Sequence, residues 1–300
     1  MEKVLITGGT GLIGKRLSYL LQNRGYEVRL LSRSKNPNGD YKTYLWDIEK
    51  GYIDENAFED LNYIIHLAGA GIADKRWTEK RKQIIIDSRV ITTDLLLKTV
   101  KQLQTPLKAF ISASAVGYYG SFTSETIFEE SHKPSDDFLG KVCRLWEEST
   151  FQFQQEGIRT VALRTGIVLS NHGGALAKMK TPIITPLGDG KQYMPWIHID
   201  DMCALYIKAM KDDTMKGAYN TVAPEFNTNK SFSKAIAKAF NRPFIGIGVP
   251  QFILKLVLGE MATVILHGSR VSSKKVMQAG FEFEHTHLDK TLASLKTQQN

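Results

Sequence analysis

The chain's clearest chemistry lies in four glycines near its start. Thr7-Gly8-Gly9-Thr10-Gly11-Leu12-Ile13-Gly14 satisfies two spacings at once: G-x-G-x-x-G through Gly9, Gly11 and Gly14, and G-x-x-G-x-x-G through Gly8, Gly11 and Gly14. A turn without Cβ atoms lets the backbone approach a pyrophosphate. The N–H groups at the start of a following helix, with the positive end of its dipole, then bind the anion. Gly8, Thr10, Gly11, Leu12, Ile13 and Gly14 are therefore the candidate diphosphate contacts. The context required of such a motif is present. Val4-Leu5-Ile6 reads as a buried strand, Lys15 to Arg24 carries Leu17, Leu20 and Leu21 at helical spacing, and Tyr26 to Leu31 reads as a second strand.

The end of that second strand decides which dinucleotide binds. A carboxylate there would bond the ribose hydroxyls of NAD, whereas an arginine accommodates the extra phosphate of NADP. The chain has Ser32-Arg33-Ser34 at this point, with Glu27 too early and Asp40 beyond the Pro37 turn. One hydrogen bond to a charged partner contributes roughly 1.5–3 kcal/mol, enough for a tenfold or larger preference. Ser32 and Arg33 thus predict NADP(H) over NAD(H).

Length and composition set outer bounds. The 300 residues suit one large α/β domain or a domain with a lobe, and 42% hydrophobic residues allow a sizeable core. Cys143 and Cys203 lie too far apart in sequence to suggest a disulfide framework or zinc spacing. His285 and His287 lack further ligands, so no metal is expected. No signal peptide is read at Met1-Glu2-Lys3. The longest apolar zone, Val249 to Leu266, is too short and too charged to span a bilayer. The expectation is a cytoplasmic protein without membrane contact. The net charge of +8 has its densest basic run at Lys75 to Lys82, but no nucleic-acid module accompanies it, and attraction of a phosphorylated cofactor or anionic substrate uses the charge equally well.

Further strands are read at Thr43 to Trp46, Tyr63 to Leu67, Lys108 to Ser112 and Thr160 to Arg164, and long helices at Gln83 to Leu103 and Asp136 to Glu156. This alternation implies an α/β fold: a Rossmann-type, doubly wound parallel sheet. Ala68-Gly69-Ala70-Gly71 follows the fourth strand, where a ligand crossing the sheet's carboxyl edge needs small residues. Residues 1–170, with contributions from about 190–225, form the expected cofactor domain. Residues 171–300 form a smaller C-terminal substrate lobe with short strands at Tyr193 to His198, Tyr219 to Val222 and Phe244 to Ile247. Its helices are placed at Ala175 to Lys180, Ile199 to Lys211, Ser231 to Phe240, Phe252 to Leu258 and Leu288 to Lys296.

These motifs resemble the extended short-chain dehydrogenase/reductase superfamily, in its epimerase and dehydratase branch. The resemblance rests on Thr7 through Gly14, Asp47-Ile48, Leu67-Ala68-Gly69, Ser112-Ala113-Ser114, Leu163-Arg164-Thr165 and Trp196-Ile197-His198-Ile199-Asp200-Asp201. Within that branch the chain is similar to an "epimerase family" group of NADP-binding proteins without a settled substrate. The marks of that group are Gly117-Tyr118-Tyr119-Gly120, Arg164 to Leu169 before Gly173-Gly174, and a tail running through Val249-Pro250, Leu258 to Ala262, Gly268 to Val271 and Ala279-Gly280-Phe281. The tail, about 249–296, belongs to the lobe. The resemblance implies Asp47 and Ile48 near the adenine, Ala68, Gly69 and Ala70 near the nicotinamide ribose and phosphates, and Ile167 near the nicotinamide. Ser112 belongs to the same cofactor edge. A homodimer through the long helices is a further implication.

The superfamily's acid/base is a tyrosine with a lysine four residues later, beside a serine or threonine. None of the 11 tyrosines here has such a lysine. In the corresponding helix Lys141 remains as a ribose contact, but Asp137 stands where its tyrosine should be. Ser114 matches the serine, and Tyr118, ahead of Tyr119, is the expected substitute proton donor; the alternative is that both phenols only pack the loop or touch cofactor. Weaker candidates are His198, which suits a helix cap as well as catalysis, and Arg270 for an anionic substrate group. Trp77, Met194 and Trp196 could wall a pocket or only fill core, and Gly188-Asp189-Gly190 could form a lid. Two functions follow. One is an NADP-dependent oxidoreductase or epimerase acting on a small metabolite by hydride transfer; the other is a non-catalytic sensor of NADP(H).

Overall fold

The structure, a computed structural model, describes residues 1–34 and 39–297. The first half builds β1 (Lys3–Thr7), α1 (Leu12–Gln22), β2 (Glu27–Ser32), β3 (Lys42–Asp47), β4 (Tyr52–Ile53) and β5 (Tyr63–His66). Then come α2 (Glu79–Leu103), β6 (Ala109–Ala115), β7 (Ile127–Phe128), α3 (Phe138–Phe151) and β8 (Arg159–Thr165). The second half holds β9 (Ile167–Leu169), α4 (Ala175–Met179), β10 (Trp196–His198), α5 (Ile199–Lys211), β11 (Gly217–Thr221) and α6 (Asn229–Ala239). It closes with α7 (Gln251–Leu258), α8 (Thr263–Leu266), β12 (Arg270–Val271), α9 (Lys274–Gln278) and α10 (Leu288–Thr297).

Eight strands form one sheet in the order β11-β8-β6-β5-β1-β2-β3-β4, parallel except for β4. Apolar runs on both faces explain why it is parallel: strands such as Val4-Leu5-Ile6 and Ile64-Ile65 are fully buried and need helices on either side. Leu17 and Leu21 of α1 pack with Met202, Leu205 and Tyr206 of α5 on one face. Leu95, Leu96 and Val100 of α2 pack with Phe110 and Phe153 on the other. Each of those buried leucines contributes roughly 1.5–3 kcal/mol through its removal from water. Arg16 joins the two helices of the first face through Asp200, Nε to Oδ1 at 2.6 Å.

Strand order reverses between β1 and β5, so their carboxyl ends part and open a crevice. Residues 169–295 enclose a second core around Leu169, Trp196, Phe232, Ile236 and Leu292, while β11 returns to the main sheet beside β8. Several expectations shift in detail. Helix α2 starts at Glu79, four residues early, because the Thr78 side chain caps it by accepting from the Arg81 amide. Helix α1 starts at Leu12, directly on the glycine turn. Phe244 to Ile247 is not a strand: the run holds only an isolated bridge from Ile184 to Phe244, and Pro243 and Gly246 limit its pairing. The Pro37 turn lies outside the described residues. Among the described residues no helix is long and apolar enough to cross a membrane, and no three His, Cys, Asp or Glu side chains cluster to hold a metal.

Candidate functional site

The glycine turn sits at the β1 side of the crevice. Gly8 adopts φ +69°, and a Cβ there would stand 2.9 Å from the Leu67 carbonyl carbon at the end of β5. At Gly14 a Cβ would meet the Gly8 carbonyl oxygen at 2.4 Å, so only glycine lets α1 begin this close to the turn. The N-cap of α1 is Gly11, which has no side chain to accept from the first-turn amides. Uncapped first-turn amides at a glycine turn are an arrangement that can accept hydrogen-bonding oxygens of an anion.

Beneath the turn, one hydrogen-bond chain ties the end of β1 to the end of β5 on the same side of the crevice. Thr7 Oγ1 accepts from the Leu67 and Ala68 amides, both at 3.1 Å, and therefore donates its proton to His66 Nδ1 at 2.7 Å. His66 then donates through Nε2 to Thr92 Oγ1 at 3.2 Å. Burial pushes the His66 pKa down to about 3, which keeps the ring neutral. The Ala70 amide donates to Ser88 Oγ at 2.9 Å, and Arg89 Nη1 donates to the Ala70 carbonyl at 3.1 Å. Arg89 lies against Gly69 and over the Trp146 ring at 4.8 Å, with no carboxylate partner among the described residues. Burial lowers its pKa. Neither His66 nor Arg89 was legible as a site residue; the signal for each was a polar side chain on an otherwise apolar strand or helix face.

At the end of β2, Ser32 accepts from the Ser34 amide at 3.3 Å. Arg33 is exposed and has no hydrogen bond or ion pair among the described residues. Asp47, at the end of β3, accepts from the Lys50 amide at 3.2 Å, and this bond holds its carboxyl below the usual range. Ile48 packs at the edge of the core. Ile167 pairs with Trp196 across β9 and β10, just beyond the carboxyl end of β8.

The other side of the crevice is arranged differently. Ser114 is 3% exposed, and its hydroxyl donates to Glu147 Oε1 at 2.7 Å. Glu147 also takes two bonds from Arg164, Nε to Oε1 and Nη2 to Oε2, each 2.8 Å. Arg164 Nη1 donates to Tyr119 Oη at 2.9 Å, and Tyr119 donates to Asn220 Oδ1 at 2.7 Å. Both of that phenol's bonds are satisfied, and burial raises its pKa to about 12. Tyr118 is half-buried, and the Arg164 guanidinium lies 3.4 Å above its ring. Of the two adjacent phenols, Tyr118 is the less buried. Ser112, also buried, donates to the Ala113 carbonyl at 2.9 Å.

Lys141 is exposed on α3, whose inner face instead sets Leu139 and Cys143 against Gly117 and Glu147 against Ser114. Asp137 is the N-cap of that helix and accepts from Gly140 at 2.8 Å and from the Ser121 amide. The structure thus brings Ser114 and Tyr118 to one edge through Glu147 and Arg164, while the Lys141 side chain makes no hydrogen bond or ion pair among the described residues. His198 is a cap, its Nδ1 accepting from the Asp200 amide at 3.2 Å, and its ring stacks on His285 at 3.7 Å. Asp200 sits in the first turn of the helix that His198 caps. Arg270 pairs with Glu125. Trp77, Met194 and Trp196 are buried core.

The comparisons agree with this architecture. The profile of the NAD dependent epimerase/dehydratase family matches residues 4–221, and a domain of unknown function, DUF1731, matches residues 249–295. An epimerase family protein of Staphylococcus haemolyticus is 34% identical over 293 residues, spanning 96% of this chain and 97% of its own. Epimerase family protein YfhF of Bacillus subtilis is 34% identical over 297 residues, 97% of each chain. A crystal structure of human epimerase family protein SDR39U1 with NADPH superimposes with a TM-score of 0.87 at 30% identity, covering 98% of this chain and 99% of that one. The chain belongs to the NAD dependent epimerase/dehydratase family.

Proposed function

We propose that this protein binds NADP(H) along the β1 crevice and acts on a small metabolite as an oxidoreductase or epimerase. The carrying observation is the uncapped start of α1 together with Arg33, which has no partner among the described residues: one suits a diphosphate and the other the extra phosphate of NADP. The residues fit the group, since Gly8 and Gly14 leave the backbone bare where it must approach. The NADPH recorded with the human relative supports the same reading.

In this reading Gly8, Thr10, Gly11, Leu12, Ile13 and Gly14 hold the diphosphate, and Ser32 and Arg33 hold the adenosine phosphate. Asp47 and Ile48 flank the adenine. Ala68, Gly69, Ala70 and Ser112 give room to the nicotinamide ribose, with Lys141 a ribose contact from α3, and Ile167 faces the nicotinamide. The bound cofactor supplies a hydride. The chain's own part is to orient the substrate, exclude water and hold a proton on Tyr118, with Ser114 beside it. Burial raises the Tyr118 pKa, so the phenol enters the reaction protonated, as a donor. Screening NADPH oxidation against carbonyl compounds tests the activity. Tyr118→Phe is expected to lower turnover by about 100-fold or more; unchanged turnover removes Tyr118 from the chemistry.

One observation favours the second reading, a sensor that binds NADP(H) without turnover. Ser114 already gives its proton to Glu147, and no tyrosine is followed by lysine at the fourth position. Partner capture that differs between NADPH and NADP, with no oxidation of any carbonyl compound, would establish it.

A further inference from the structure

A tyrosine that donates a proton is left as a phenolate, and something positive must offset it. Lys141 is exposed, and its side chain makes no hydrogen bond or ion pair among the described residues. The cation the structure does place at the phenol is a buried guanidinium. Arg164 has a side chain 4% exposed and lies with Cζ 3.4 Å from the centroid of the Tyr118 ring. Two of its nitrogens are held by Glu147, itself 6% exposed, at 2.8 Å each. A third is held by Tyr119 Oη and the Glu130 carbonyl, at 2.9 and 3.3 Å. The guanidinium is therefore fixed through all three of its nitrogens, and it lies over the Tyr118 ring. Such a fork is a property of arginine that lysine could not reproduce.

We propose that Arg164 is the cation that serves Tyr118 in place of a lysine, and that Glu147 is the positioning residue that locks this guanidinium on the phenol and tempers its charge. The inference rests on the reading of Tyr118 as proton donor. The phenol's proton passes to the substrate's carbonyl oxygen as the O–H bond of Tyr118 breaks. The resulting phenolate lies under the guanidinium until solvent returns the proton. Glu147 neutralises Arg164 in the resting state, so the phenol does not ionise prematurely. Ser114, donating to the same carboxylate, ties the end of β6 into the same clamp. The charged and titratable groups around Tyr118 are Arg164 from β8, Glu147 and Cys143 from α3, and Tyr119 beside it.

The test reads the titration of Tyr118 directly and needs no substrate. The full chain is labelled with 13C-tyrosine, and Tyr118→Phe identifies the resonance. In Glu147→Gln the freed guanidinium should pull the Tyr118 midpoint down by about one pH unit or more, roughly tenfold in proton affinity. Adding Arg164→Met to that variant should return the midpoint to the wild-type value or above. A structural ion pair alone would lower the melting temperature and leave the phenol's midpoint where it was; that result overturns the proposal. Should the buried variants fail to fold, the wild type still decides: nuclear Overhauser contacts between the Arg164 guanidinium and the Tyr118 ring must be present, and their absence overturns it. NADPH binding is followed separately by fluorescence. Loss of that signal counts against the cofactor reading alone, and an unshifted Tyr118 midpoint in protein that still binds NADPH counts against this one alone.

Discussion

The two walls of the crevice treat polar groups in opposite ways. On the β1 side, the amides of α1 are uncapped, Arg33 has no partner among the described residues, and Arg89 has no carboxylate. On the β6 and β8 side, Ser114, Glu147, Arg164, Tyr119 and Asn220 satisfy one another in an unbroken chain. Unsatisfied donors at a crevice are a cost to the folded chain that a ligand removes, whereas a closed buried network holds shape. In the proposed reading the first wall binds and the second positions, with Tyr118 half-buried at the second wall's edge.

Substitutions in the two walls should therefore fail in different ways. Gly14→Val is expected to make the largest difference to binding: its Cβ would collide with the Gly8 carbonyl oxygen, 2.4 Å away, and close the turn. NADPH affinity should fall by about 100-fold or more, corresponding to roughly 2.8 kcal/mol, and isothermal titration would show it. Glu147→Gln should do the reverse. Breaking a buried pair costs about 3–5 kcal/mol, so chemical denaturation should show a large loss of stability. The NADPH dissociation constant of the folded fraction should change little. If both variants lose binding and stability alike, the division between the walls is wrong.

His66 sharpens the comparison, because it lies under the binding wall and yet belongs to the folded framework. Its pKa is about 3 when folded against an ordinary value of 6.5. Between those values the unfolded chain takes up a proton that the folded chain refuses, so stability is complete above about pH 6.5 and drains away as pH falls toward 3. The melting temperature should decline over that range, and the decline should be shallower in His66→Asn. An equal slope in the two proteins would show that another group sets the acid limit.

How much of this was legible follows the same division. The binding wall is local in sequence: a strand, a glycine turn and a helix start are contiguous, and the spacing of Gly8, Gly11 and Gly14 dictates their backbone. Thr43 to Trp46 and Tyr63 to Leu67 were likewise legible as strands because their apolar runs are short and bounded. The positioning wall joins residues from β6, the turn after it, α3, β8 and β11, and its hydrogen-bonded partners Tyr119 and Asn220 lie 101 positions apart. No short-range pattern encodes that meeting. Glu147 could have been flagged as a carboxylate beside Trp146 on an apolar helix face, and Arg164 as a charge ending a buried strand, since buried charges require partners. Phe244 to Ile247 misled for the opposite reason. Its composition suits a strand, yet no neighbouring strand offers it a ladder.

The central claim is that the open wall binds NADP(H), with Arg33 on the adenosine phosphate, and paired titrations of NADPH and NADH into the wild type and Arg33→Ala test it most directly. The wild type should prefer NADPH by about tenfold or more, and Arg33→Ala should bring the two constants together. Equal constants in the wild type, or no binding of either nucleotide, would contradict it.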